Sequence, residues 1–306
     1  MYHWKLAWAQ ELIGWKRIKR IFLLPLYGMR VTKYLFLAGV SMMLWSCGNE
    51  KPAEDDLEES LNTTDTLSKN LEQQKIYAQN VFNSIPGPSE LTRLVDDAAI
   101  DYDGAMPNNP DNLSKYTTDN FKALNLGVYG AGMAYANVYD QSQDAMLYLK
   151  CVNSLCKNLG ISGVFDEKTV DRLEANKENK DSLLTIVSKS FRQADKFLRE
   201  NQRPHTSSLM VAGGWIEGLY LSAKVATKSK SKKFIKKMSE QGPSLGDLIS
   251  LVEGSGISND GTFLIEGLKD LKASYDKIPA NSVMDDVMLA EVDQKVSALR
   301  KKIIQE

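Results

Sequence analysis

Beyond residue 46 the chain carries one histidine, His205, and one tryptophan, Trp215, although its 306 residues hold two and five in all. The three cysteines, Cys47, Cys151 and Cys156, form no Cys-x-x-Cys pair, and a single imidazole cannot build a His-rich zinc site. Gly254-Ser-Gly256 lacks the rest of a Gly-x-Ser-x-Gly nucleophile elbow. Asp101-Tyr-Asp103-Gly104 and Asn259-Asp-Gly261 lack the Glu that closes a calcium loop, and are read as a loop and an N-cap. No metal or cofactor is expected. Cys151 and Cys156 are five residues apart, about 140° round a helix, which places them out of disulfide reach as buried thiols. There is no basic excess either, with 38 Lys+Arg against 39 Asp+Glu, so no nucleic-acid partner is expected. A composition of 43% hydrophobic and 25% charged residues excludes collagen, a disordered chain and a polytopic membrane protein.

What is present is unevenly distributed. Seven of the 38 basic residues but one of the 39 acidic ones precede Cys47, which leaves 31 against 38 and a net charge of −7 from Cys47 onward. Met29-Arg-Val-Thr-Lys33 is basic, residues 34–44 are uncharged and largely apolar, and Leu44-Trp45-Ser46-Cys47 follows. That order of basic, apolar and small residues is a secretory signal, and its apolar run is shorter than the ~20 residues a spanning helix needs. Leu44-Trp45-Ser46-Cys47 resembles a lipobox, the site at which bacterial lipoproteins are cut and their cysteine acylated. The Lys and acids after Cys47 are similar to the export tag of Bacteroidetes lipoproteins. The resemblance implies a chain held to the membrane by diacylglycerol and acyl chains on Cys47, in the cell envelope at the outer membrane, on its periplasmic or surface face. Translation is expected to begin at Met29, making residues 1–28 an upstream extension, 29–46 the signal peptide and 47–70 a flexible acidic tether.

Residues 71–306 are read as a single α-helical domain, with a point of subdivision near 227–244. Apolar residues recur at steps of three and four in Ala145, Leu149, Val152, Cys156 and Leu159, in Leu183, Val187, Phe191, Ala194 and Leu198, and in Met284 through Ile303. Breaks are predicted at Pro86-Gly-Pro88, Gly160, Gln241-Gly-Pro243 and Pro279, and an N-cap at Asp166. About ten helices result. Two segments, residues 121–139 and 209–226, are apolar nearly all round, which predicts an all-α multi-helix bundle or stacked helical hairpins around two central helices. Both are rich in glycine, which costs helix propensity and is explained by close backbone approach where helices cross. Gly127-x-x-Gly-x-Gly132 lies inside a helical pattern rather than after a strand, so it is read as packing and not as a dinucleotide loop.

The strongest local cluster runs from His205 to Tyr220. Glu217 in an apolar helix needs a partner or a function, and a buried carboxyl beside Trp215 is a candidate general acid or a group that binds a ligand amine. Trp215, Glu217, Tyr220, Tyr135 and His205 are therefore the candidate ligand-binding residues, with Cys47 the lipid-attachment site. His205, after Pro204, is expected to be an exposed first-turn residue. Lys228, Lys230, Lys232, Lys233, Lys236 and Lys237 form a basic cluster, read either as a surface for anionic lipid headgroups or as a solvated helix face. Lys122-Ala-Leu-Asn-Leu-Gly-Val-Tyr-Gly130 and Gly213-Gly-Trp-Ile-Glu-Gly-Leu-Tyr220 resemble uncharacterised lipoproteins of the same group, which brings no activity with it. Two functions follow: a non-enzymatic envelope lipoprotein whose helical domain binds a protein or small-molecule partner or acts as a scaffold, and a hydrolase or lyase working with carboxylates such as Glu217 beside Tyr220 or Tyr135. A cleft with two carboxyls would favour the enzyme. A closed core with Glu217 paired would favour the binding or scaffold role.

Overall fold

The structure is a computed structural model that describes residues 55–161, 163–256 and 261–305, so Cys47 and the segments expected to be a lipobox, a signal peptide, an upstream extension and the first part of a tether (residues 47–54) lie outside the described residues. Eleven α-helices and no strand occur among them: α1 Asp55–Ser84, α2 Pro88–Ala98, α3 Asp119–Val138, α4 Ser142–Asn158, α5 Glu167–Ala175, α6 Lys180–Glu200, α7 Pro204–Ser229, α8 Lys232–Ser239, α9 Gly242–Glu253, α10 Thr262–Tyr275 and α11 Asp286–Ile304, with a 3-10 turn at Pro110–Lys115. The protein is all-α, as the apolar spacing implies. No described helix is long and apolar enough to cross a membrane.

The helices start and stop for local reasons. Asp166 and Asn179 accept the backbone N–H of Thr169 and Ser182 at 2.9 Å and cap α5 and α6. Gly160 ends α4 at φ 69°, where Ile161 N–H donates to Cys156 O at 2.8 Å and Gly160 N–H to Lys157 O at 3.1 Å. This Schellman closure needs a left-handed residue, hence glycine. Two boundaries differ from the sequence reading. Residues 55–70 are the first turns of α1, not tether, because no Pro or Gly interrupts the chain between Pro52 and Pro86. Met284 belongs to no helix: Asp285 accepts Met288 N–H at 2.8 Å and starts α11 after it. Of Asn259-Asp-Gly261 only Gly261 is described, and it is the residue before α10.

The two segments expected to be central, α3 and α7, cross face to face, and α4, α6 and α11 pack around the pair. The crossing is made by glycines. A Cβ on Gly127 would overlap Met210 O and Gly214 N, and one on Gly213 would overlap Leu124 O, so backbone meets backbone with no side chain between. Gly130 serves another contact, its missing Cβ leaving room for the Phe191 ring of α6. The second half of the core joins α9, α10 and α11 through Leu248, Leu268 and Val296, all fully buried, with α1 laid against α9.

Cys151 and Cys156 are both free and buried, and burial pushes their thiols up to about 11 and about 12. The folded pKa exceeds the ordinary value of 9.0, so the stability these neutral thiols contribute is complete below about pH 9 and is lost as pH rises through 11 and 12. In Cys47→Ala protein at pH 8, a thiol reagent such as Ellman's reagent is expected to leave both unmodified until denaturant is added. Rapid reaction of the native protein would contradict their burial.

Four of the six clustered lysines are spent on neighbouring acids: Lys228 on Asp103 at 3.0 Å, Lys230 on Asp286 at 3.1 Å, Lys233 on Asp97 at 2.7 Å and Lys237 on Glu90 at 3.0 Å. Exposed pairs of this kind add little stability, but they offset the positive field that an anionic surface would need. The solvated-face reading is the better one.

Candidate functional site

Residues 215, 217 and 220 leave α7 in different directions because successive helical residues turn by about 100°. Trp215 points to α9, where its Nε1–H donates to Ser244 Oγ at 3.1 Å; Ser244 Oγ lies 2.7 Å from Ser84 Oγ of α1. It is a tie between three helices.

Glu217 points to α11 and to the segment between α2 and α3. It is 0% exposed, and Arg300, 7% exposed, meets it as a fork: Nε–H donates to Oε2 at 2.6 Å and Nη2–H to Oε1 at 3.0 Å. Asn108 N–H adds a third donor to Oε1 at 3.3 Å. Arg300 Nη2 also donates to Met106 O at 3.2 Å, and the guanidinium lies 4.2 Å from the centre of the Tyr220 ring. Tyr220 thus serves as the face on which the arginine rests.

The loop that supplies Asn108 is itself tied down. Asn108 Nδ2 donates to Tyr116 Oη at 2.8 Å and to Asn125 Oδ1 at 3.3 Å, and Asn112 Nδ2 donates to Asn108 Oδ1 at 2.8 Å. Asn125, fully buried in α3, donates in turn to Ile303 O of α11 at 3.0 Å. Tyr129 Oη–H closes on Asn109 O at 3.0 Å. A polar network therefore joins α3, α7, α11 and residues 106–116 inside an apolar core, with partners for its charged members. Such networks specify one arrangement of helices more than they add net stability.

The remaining candidates lie apart. Tyr135 accepts Asp103 N–H at 3.3 Å and donates to Met106 Sδ at 3.6 Å; its ring packs with those of Tyr102 and Tyr139 at 5.3 and 5.0 Å. Burial raises the Tyr135, Tyr116 and Tyr129 hydroxyls above their ordinary value and raises Tyr148 to about 12, so these phenols act as neutral hydrogen-bonding groups. His205 stands 12 residues from Glu217, about 18 Å along α7. It is half-buried rather than exposed, because the start of α3 packs beside it and Asn120 Oδ1 lies 2.9 Å from its Nε2. The five candidates do not converge on one point: Glu217 and Tyr220 share Arg300, Tyr135 reaches the same arginine only through Met106, and Trp215 and His205 belong to other contacts. Among the described residues no group of three His, Cys, Asp or Glu is placed to hold a metal.

Arg300, Asn108 and Asn125 were not among the sequence candidates. Their signal was slight: Arg300 sits beside Leu299 at the edge of the apolar stripe of α11, and Asn125 sits between two leucines in a helix apolar all round. Comparison of the chain with protein-family models, curated proteins and solved structures gives no match.

Proposed function

We propose that the chain is an envelope lipoprotein, acylated on Cys47, whose helical domain binds a protein or small-molecule partner or serves as a scaffold rather than transforming a substrate. The observation that carries the second half is the closure of Glu217. A general acid needs a proton to give and an approach for the substrate, and a nucleophile needs a free lone pair aimed at one. Glu217 is fully buried, engaged through both oxygens by Arg300 and through one by Asn108, and tied into a structural network. The carboxylate chemistry that would support a hydrolase or lyase has no site there. The address rests on the sequence: a basic segment, a short apolar run and Leu44-Trp45-Ser46-Cys47, followed by acids, similar to lipoproteins held at the outer membrane of Bacteroidetes.

Cells expressing the native chain and fed labelled palmitate are expected to yield a labelled protein, and Cys47→Ala is expected to lose the label. Equal labelling of the two would overturn the lipid anchor.

A further inference from the structure

Away from Glu217, a cleft of about 600 Å³ opens between α3, α4, α5 and the start of α6. Its floor is apolar, formed by Met133, Leu149, Leu173 and Leu183, all buried, with half-buried Met146 at its side. Asn137 of α3 is set among them. It is 3% exposed, lines the cleft, and its carboxamide makes no hydrogen bond with any described residue. Asn108 and Asn125, equally buried, are by contrast each bonded to other protein groups. The Asn137 carboxamide atoms reach the cleft, where they are open to a hydrogen-bonding partner from outside the protein. Charge is confined to the exposed rim, where α5 presents Asp171 and Glu174 and the turn after it Lys177.

We propose that this cleft is the domain's ligand site, and that its ligand is a small uncharged molecule with an apolar body and one hydrogen-bonding group that pairs with Asn137. The volume is that of a small-molecule pocket, in which apolar walls hold the body and a few polar groups orient it. The ligand's buried part is uncharged because the floor offers no countercharge, and an unpaired ion there would lose its hydration without return. The carboxamide can both donate and accept, so an amide, ketone or hydroxyl satisfies it. The proposal rests on the binding reading of the domain and not on the lipid anchor.

The test uses benzophenone, an uncharged two-ring ketone that inserts into nearby C–H bonds on irradiation, with the full chain in its native membrane. Saturable labelling of the peptides that carry Met133 and Met146 is expected. Asn137→Leu removes a group that bonds to nothing in the protein, so it should leave the melting temperature unchanged or raised while lowering labelling at sub-saturating probe by about fivefold, the worth of one hydrogen bond. Met146→Trp should fill the cleft and abolish labelling. Labelling that is non-saturable, spread over the chain, or equal in native and Asn137→Leu protein would overturn the site. That failure would leave palmitate incorporation at Cys47 intact, whereas an unacylated Cys47 would leave cleft labelling intact, so the two readings fail separately.

Discussion

Alanine at Gly213 is expected to lower the unfolding free energy by about 3 kcal/mol or more, while alanine at Gly218, five residues on in the same helix, is expected to raise it by up to about 1 kcal/mol. The difference lies in what the new methyl meets. At Gly213 it would enter the Leu124 carbonyl group, and backbone cannot rotate aside as a side chain can, so α3 and α7 must separate along their contact. At Gly218 nothing lies within 4 Å, and the substitution only relieves the entropic cost of a glycine inside a helix. Gly127→Ala should behave like Gly213→Ala, since its Cβ would overlap Met210 O. Denaturant unfolding followed by circular dichroism at 222 nm would measure all three. A loss at Gly213 no larger than 0.5 kcal/mol, roughly the scatter of surface substitutions, would mean that the helices do not cross this closely.

Arg300→Met is the second large effect, with an expected cost of about 3–5 kcal/mol, because it leaves a fully buried carboxylate without its countercharge. Glu217→Leu should cost a similar amount by stranding the guanidinium. The double variant Glu217→Leu/Arg300→Met removes both charges and should recover most of the loss, since a buried ion pair gives little net stability over apolar groups of similar volume. The sign of the coupling is the test. Additive losses in the double variant would show that the two side chains act independently, contrary to a 2.6 Å contact.

Several features were legible before the structure. Stripes such as Leu183 to Leu198 are buried along their whole length in α6, because a three- and four-residue repeat admits one helical face. The central place of α3 and α7 followed from apolar residues on every side, and their crossing from glycines whose cost in helix propensity is explained by close backbone approach. Glu217 was legible as a residue that needs a partner, but not which partner: Arg300 lies 83 residues away, and the choice among basic side chains is made by the return of α11 against α7. His205 and Trp215 share a segment with Glu217 in sequence and not in space, because helical rotation and rise separate neighbours as readily as folding unites strangers. Asn137 gave no warning, since an asparagine in a helix looks the same whether its carboxamide is bonded or open to a cleft.

The sequence by itself determined the distribution that marks this protein: a basic segment before Cys47, an acidic helical body, and a scarcity of histidine, cysteine pairs and nucleophile motifs. These are properties of composition and local spacing, which need no fold to be read. Tertiary structure alone decided that Glu217 is locked by Arg300 and that Asn137 opens onto an apolar cleft. Both outcomes depend on which groups arrive from distant parts of the chain, and burial turns that arrival into either a satisfied partner or an open site.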